Sequence, residues 1–209
     1  MNDRYYDIEV EGITYHFPSV TTILAIANKP GLNEWRARQG FELSEQYSQE
    51  TADIGREIHN YVARLIQRER IGKLEWDTLS EEIKNGLRAY DRFRIETGFS
   101  ANDSEVVVFN LKLGYAGTLD CFGVIDKHRV LIDWKTGGRF WPSYYAQLAA
   151  YYKALGDAEV KVLYVVNLDR KTGVPIVHRL LVKDCTPYWN YFKSCLSLFK
   201  ATRIVENLV

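Results

Sequence analysis

The chain has 209 residues, 46% of them hydrophobic and 26% charged, so it carries enough apolar side chains to build a core. Lys+Arg and Asp+Glu each number 27, a formal net charge of zero that neither favours nor excludes nucleic acid. Cys121, Cys185 and Cys195 are too few for a four-thiolate zinc or iron–sulfur site. With no presequence pattern and no bilayer-length apolar run, the expectation is a cytoplasmic protein of a bacterial or phage-infected cell, with no membrane partner.

"YYDIEVEGITYHF" reads as a hairpin turning at Glu11-Gly12. "PSVTTILAIA" follows as a helix started by Pro18 and Ser19, with a stop at Asn28 to Gly31. Helices are then expected over Leu32–Tyr47, Gln49–Arg70 and Ser80–Thr97, the last opened by the capping-box-like "SEEI" and closed by Gly98. From there the period switches to strands: "SEVVVFNL", "YAGTLDCFGVI" and "RVLIDWKT". "PSYYAQLAAYYKALG" is a helix between Pro142 and Gly156. Two further strands, "EVKVLYVVNL" and "PIVHRLLV", precede a terminal amphipathic helix whose "YWNYF" reads as a packing face. The expected fold is α/β in one domain: a hairpin and helical part over 1–98 and a βββαββα core over 99–209.

"VLIDWKTGG" places Asp133 and Lys135 on one face of an apolar strand, where charges are costly unless paired or coordinated. A turn at Lys127-His128 pairs Asp126 with Arg129 and sets Asp120 directly opposite Lys135, with Asp133 one diagonal step away. One acid and one lysine read as a structural salt bridge. A second acid on that face exceeds what one lysine neutralises, and clustered carboxylates call for a hard cation such as Mg²⁺. Such a cation lowers the pKa of a bound water, and the lysine can offset charge on a phosphoryl transition state.

"GTLD", then "DWK", then "QLAAY" one helix later resemble the PD-(D/E)XK nuclease superfamily. The resemblance is to the RecB-like exonuclease branch, which includes mitochondrial genome-maintenance and phage exonucleases. "GREIHNY", "SEVVV" and "PSVTTIL" extend it from about Pro18 to Tyr152. It implies a restriction-endonuclease-like core, a central mixed β-sheet flanked by helices. It also implies His59, Glu105, Asp120 and Asp133 as metal ligands and Lys135 as the residue that positions the nucleophile. Gln147 and Tyr151, i and i+4 on one helix, support site and substrate. Asp120 and Asp133 count among the catalytic residues as well as the ligands.

Each residue also has a plainer reading. His59 flanks the stripe of Ile54, Ile58, Val62 and Leu65 and alone reads as a structural histidine. Glu105 could be a solvated strand end, with Asp103 as a competitor. Tyr151 shares a stripe with Tyr144, Leu148 and Leu155. Ser19 could simply cap its helix, though hydroxyls there can bind phosphate too. Ser19, Thr21, Thr22, Thr136 and Arg56 are the candidate DNA contacts, and Gly55 leaves room for a close approach. Trp35, Arg36, Arg38, Arg64, Arg68 and Arg70 interleave aromatic and basic character along the helical part.

The expected function is a deoxyribonuclease using one or two Mg²⁺ or Mn²⁺ ions and working from single-stranded DNA ends in replication, repair or recombination. The alternatives are a double-strand- or structure-specific endonuclease, or an inactive nuclease-fold DNA-binding protein. An iron–sulfur cluster of the CRISPR-adaptation relatives is not expected, because that group uses four cysteines.

Overall fold

The computed structural model describes residues 3–27, 41–137 and 140–206, with side chains described outside 41–48 and 204–206. Residues 32–40 of the first expected long helix, with Trp35, Arg36 and Arg38, lie outside the described residues. The chain begins with a hairpin of β1 (Tyr5–Val10) and β2 (Ile13–Pro18), where Val10 pairs with Ile13. Glu11 and Gly12 both have positive φ, 51° and 78°, the geometry that matches a two-residue turn to the twist of its strands.

α1 (Val20–Leu24) is one short turn capped by Ser19, whose Oγ accepts from the Thr22 amide. α2 (Phe41–Ile66) runs without a break through Ser48, where the sequence had suggested two helices. No glycine or proline stands between Phe41 and Ile54 to end it. α3 (Lys73–Thr78) is a short helix the periodicity did not reveal. α4 (Glu81–Thr97) begins at Ser80, whose Oγ accepts from the Ile83 amide, and ends at Gly98 with φ 64°. Both ends are where their capping residues stand in the sequence.

The central sheet runs β3 (Ser100–Asn110), β4 (Tyr115–Ile125), β5 (His128–Lys135), β6 (Val160–Leu168) and β7 (Pro175–Leu181), in that spatial order. Only β5 and β6 are parallel, joined through α5 (Pro142–Leu155), as a parallel pair requires a crossover. α6 (Thr186–Glu206) closes the chain and packs on α5 and α1. The expected order βββαββα holds from β3 to α6.

Apolar clusters cover both faces of the sheet, which explains why β6 is buried at eight of its nine positions. One face packs Leu131, Leu163 and Val165 against α1, α5 and α6, including Val20, Leu148 and Phe192. Ala146, Ala149 and Ala150, all fully buried, bring α5 close to the strands. The opposite face packs Ile132 and Trp134 against Ile58 of α2 and Leu87 and Phe93 of α4. Trp134, 1% exposed, meets Tyr90 and Phe93 edge-on at 5.5 Å, so it is core as expected. "YWNYF" also packs as expected: Phe192 meets Tyr115 at 4.8 Å and Trp189 at 5.7 Å.

The β4–β5 register corrects the expected one. Ile125 pairs with His128 and Cys121 with Ile132, so the turn is Asp126-Lys127. Both turn residues have positive φ, 49° and 66°, a conformation that residues other than glycine adopt uncommonly and that the sequence did not signal. Asp120 is therefore in line with Asp133 instead of Lys135. The displacement is two residues, and a shift of two keeps every side chain on its face. The carboxylate-bearing face survives the correction.

Candidate active site

The β4–β5 ladder stops at Cys121↔Ile132. One step further the Trp134 amide donates to Asp120 Oδ2 at 2.8 Å, so a side chain supplies the partner that the backbone no longer offers. Here the strands open and three acids gather. On β3, the pairs Ser104↔Cys121 and Val106↔Leu119 bracket Glu105, which has φ 55°. A glutamate in this left-handed region is strained by about 1 kcal/mol or more. Asp103, the competing acid, accepts from the Ser104 amide at 2.8 Å, a local turn-type bond.

α2 brings His59 to the same place. His59 Nδ1 lies 3.7 Å from Asp120 Oδ2, and one ligand atom each from His59, Glu105 and Asp120 fall within 4.8 Å of one another. Three of the four expected ligands thus form a cluster that fits an ion with mixed nitrogen and oxygen donors. The fourth, Asp133, is 0% exposed on β5. Its Oδ2 lies 2.6 Å from Lys135 Nζ, and its Oδ1 has no hydrogen-bond partner among the described residues. An orphaned oxygen on a fully buried carboxylate fits a cation or a water as its partner.

The charges perturb one another. Burial works against protonation of His59, yet the Asp120 carboxylate outweighs it and raises the imidazole pKa. Burial likewise opposes ionisation of Asp120, but His59, Lys135 and the Trp134 amide together hold its pKa below the usual value. Asp133 is pushed up to about 6 by burial, against the pull of Lys135. Burial would discharge Lys135, but Asp133 and Asp120 keep its pKa raised, so the ammonium is charged. Glu105 is raised by burial and by Asp120, with His59 and Arg4 countering.

α5 supports this face. Lys135 Nζ donates to Gln147 Oε1 at 3.3 Å, and Gln147 Nε2 donates to the Tyr151 hydroxyl at 3.1 Å. The Lys135 ammonium also lies 4.7 Å from the centre of the Tyr144 ring, a cation–π contact. The expected trio Lys135, Gln147 and Tyr151 is therefore one hydrogen-bonded chain. Gly117 makes room for it: a Cβ there would stand 2.5 Å from Tyr151 Cε1.

The expected DNA contacts divide. Thr136 lies against α2, where a Cβ on Gly55 would stand 2.8 Å from its Oγ1, so the gap at Gly55 is taken by this chain's own side chain. Arg56 is exposed and ion-paired to Asp53 at 2.8 Å, a helix-surface contact that brings it to no other site residue. Arg64 is bound to Glu69 and Glu75, at 2.8 and 2.6 Å, and serves the α2–α3 junction. Ser19 is 2% exposed and engaged within its own turn, where Thr21 and Thr22 meet its hydroxyl.

Sequence reasoning missed Arg4, Tyr6 and Thr118. Thr118 was legible, since it stands two residues before Asp120 and alternate strand residues share a face. Its Oγ1 meets the Tyr6 hydroxyl at 2.9 Å and Arg4 Nη2 at 3.5 Å. Arg4 and Tyr6 carried no signal, because only the docking of the hairpin on β4 brings them here.

No family model matches the chain, and no curated protein matches it. Among solved structures, the chain is similar to an alkaline exonuclease (LHK-Exo) from Laribacter hongkongensis, at 16% identity and a TM-score of 0.41, over 91% of this chain and 94% of that one. A second structure, LHK-Exo in complex with dAMP, matches at 18% identity and a TM-score of 0.36, over 72% of this chain and 86% of that one.

Proposed function

We propose that the chain is a metal-dependent deoxyribonuclease of the PD-(D/E)XK type, acting as an exonuclease on single-stranded ends. The observation that supports this reading is the cluster of His59, Glu105 and Asp120 beside a buried Asp133–Lys135 pair. A structural salt bridge accounts for Asp133 with Lys135, but it leaves a further acid pair and an imidazole converging without purpose.

His59, Glu105 and Asp120 would hold the ion, and Asp133 would add a further carboxylate to the site. A divalent cation bound there supplies a Lewis acid and a water of lowered pKa. The chain's residues do the rest. Lys135 stays protonated, pinned by Asp133 and Gln147, and presents its charge to the phosphate oxygens as water adds to phosphorus and the bridging P–O bond breaks. Tyr151 fixes Gln147, and Gln147 fixes Lys135, so the ammonium keeps its direction. Mg²⁺ and Mn²⁺ both suit this donor set, the imidazole tilting it toward Mn²⁺.

The test uses end-labelled single- and double-stranded DNA with Mg²⁺, Mn²⁺ or EDTA, comparing the wild type with Asp120→Asn. Cleavage that needs metal and Asp120, and that spares a circular single strand, is the expected result. Circles cut as fast as linear strands would replace the exonuclease with an endonuclease. Metal-independent cutting would remove the mechanism.

A further inference from the structure

We propose that Arg4 is a phosphate-binding residue of this site, gripping the phosphodiester next to the one held at the carboxylates, and that Ser19 and Thr22 serve as its bracket. This rests on the nuclease reading above. The motif "PSVTTIL" then has a role other than touching DNA itself. The Arg4 carbonyl accepts from the Ser19 amide at 2.8 Å, and the Arg4 amide donates to Thr22 Oγ1 at 2.9 Å. Thr22 Oγ1 also donates back to the Arg4 carbonyl at 3.3 Å. Ser19 Oγ in turn donates to Thr22 Oγ1 and accepts from the Thr22 amide, both at 2.9 Å. Every hydroxyl of this turn except that of Thr21 is committed to holding one backbone position.

What is held is a cation. The guanidinium lies over the Tyr6 ring, 4.8 Å from its centre, and reaches Thr118 Oγ1 at 3.5 Å. Thr118 precedes Asp120 by two residues, about 6.6 Å along the same face of β4. Arg4 is exposed, and among the described residues no carboxylate lies within ion-pair distance of it, whereas Arg56 has one and Arg64 has two. A backbone clamped on both sides, a side chain stacked on a ring and a planar fork with no ion-paired carboxylate among the described residues suit a phosphate. An acidic cluster needs such a flanking cation if a polyanion is to approach it.

The experiment measures binding of a short oligothymidylate by fluorescence anisotropy in EDTA over a salt series. It compares the wild type with Arg4→Gln, Arg4→Lys and Thr22→Val, with the exposed Lys161→Gln at the start of β6 as control, and thermal midpoints are recorded for each. Arg4→Gln should weaken binding about ten-fold, the value of one charge-assisted contact, and lower the salt slope by about 1. Arg4→Lys should keep the slope and lose part of the affinity, and Thr22→Val should weaken binding less than Arg4→Gln does. An uncharged methylphosphonate, walked over the terminal linkages, should cost the wild type affinity at one position where it costs Arg4→Gln nothing. Unchanged affinity and slope in Arg4→Gln overturn the assignment and leave the nuclease standing. A wild type that neither binds nor cuts DNA overturns both. Should Arg4→Gln fail to fold, the methylphosphonate pattern of Arg4→Lys decides: a penalty equal to that of the wild type at every linkage overturns the assignment.

Discussion

Lys135 carries two charges' worth of neighbours. Its ammonium is drawn to Asp133 at 2.6 Å and steadied by Gln147 and the Tyr144 ring. Lys135→Ala should therefore lower kcat by about 10²–10³, as loss of a single transition-state donor does, while Mn²⁺ binding measured by calorimetry persists. It should also cost about 3 kcal/mol of stability, because Asp133 is left buried and unpaired. Retained kcat would remove Lys135 from the chemistry. Glu105 poses the reverse trade. Its φ of 55° is conformation that glycine accepts freely. Glu105→Gly should raise stability by about 1 kcal/mol in urea unfolding and abolish Mn²⁺ binding. A variant that still binds the ion with unchanged affinity would show that the strained carboxylate is not a ligand.

The elements work by close approach. Gly117 on β4 lets the Tyr151 ring of α5 lie against the strand, and Gly55 on α2 does the same for Thr136 beyond β5. Both contacts pull a helix onto the strand ends where the acids sit. Gly117→Ala should cost about 1–3 kcal/mol through overpacking and reduce kcat further than Tyr151→Phe does, since it displaces the ring that anchors Gln147. Paired denaturation and kinetic measurements check this, and a fully active, fully stable Gly117→Ala would show that the ring has room to move. The hairpin and helix ends were legible in sequence because their causes are local: Glu11-Gly12, Ser80 and Gly98 each act on residues within a turn of themselves. The Asp126-Lys127 turn was not, because Asp126 only tolerates positive φ and nothing in the Lys127 side chain prefers it. The strands beside it impose that geometry, and the expected register was displaced by two residues for that reason.

At the scale of the whole molecule the site is a store of displaced protons. Asp133 is raised to about 6 from 3.8, and His59 is raised above 6.5. Between those ordinary and native values the folded state binds more protons than the unfolded chain, so stability falls as pH rises through the window. Asp120, being lowered, acts in the opposite sense, but only as pH drops toward its ordinary value of 3.8. Metal-free protein should thus lose about 1 kcal/mol from Asp133 alone between about pH 5 and about pH 7. Because ligands must shed protons to bind, Mn²⁺ affinity should rise over the same interval. Thermal unfolding in EDTA and calorimetry at both pH values test this. Affinity independent of pH would sink the ligand assignment.

What the sequence alone determined is the set of elements from β3 to α6 and the face that bears Asp120, Asp133 and Lys135. Alternation and capping are local, and parity survives a two-residue slip. It also named His59, Glu105, Gln147 and Tyr151, through motif order supplied by resemblance. Only the tertiary structure decided that Asp120 faces Asp133, that Glu105 rather than Asp103 joins the cluster, and that Arg4 stands beside it. Those facts depend on where one strand stops pairing with the next and on where a distant hairpin docks. They are set by packing between residues as many as 114 positions apart, which no local pattern encodes.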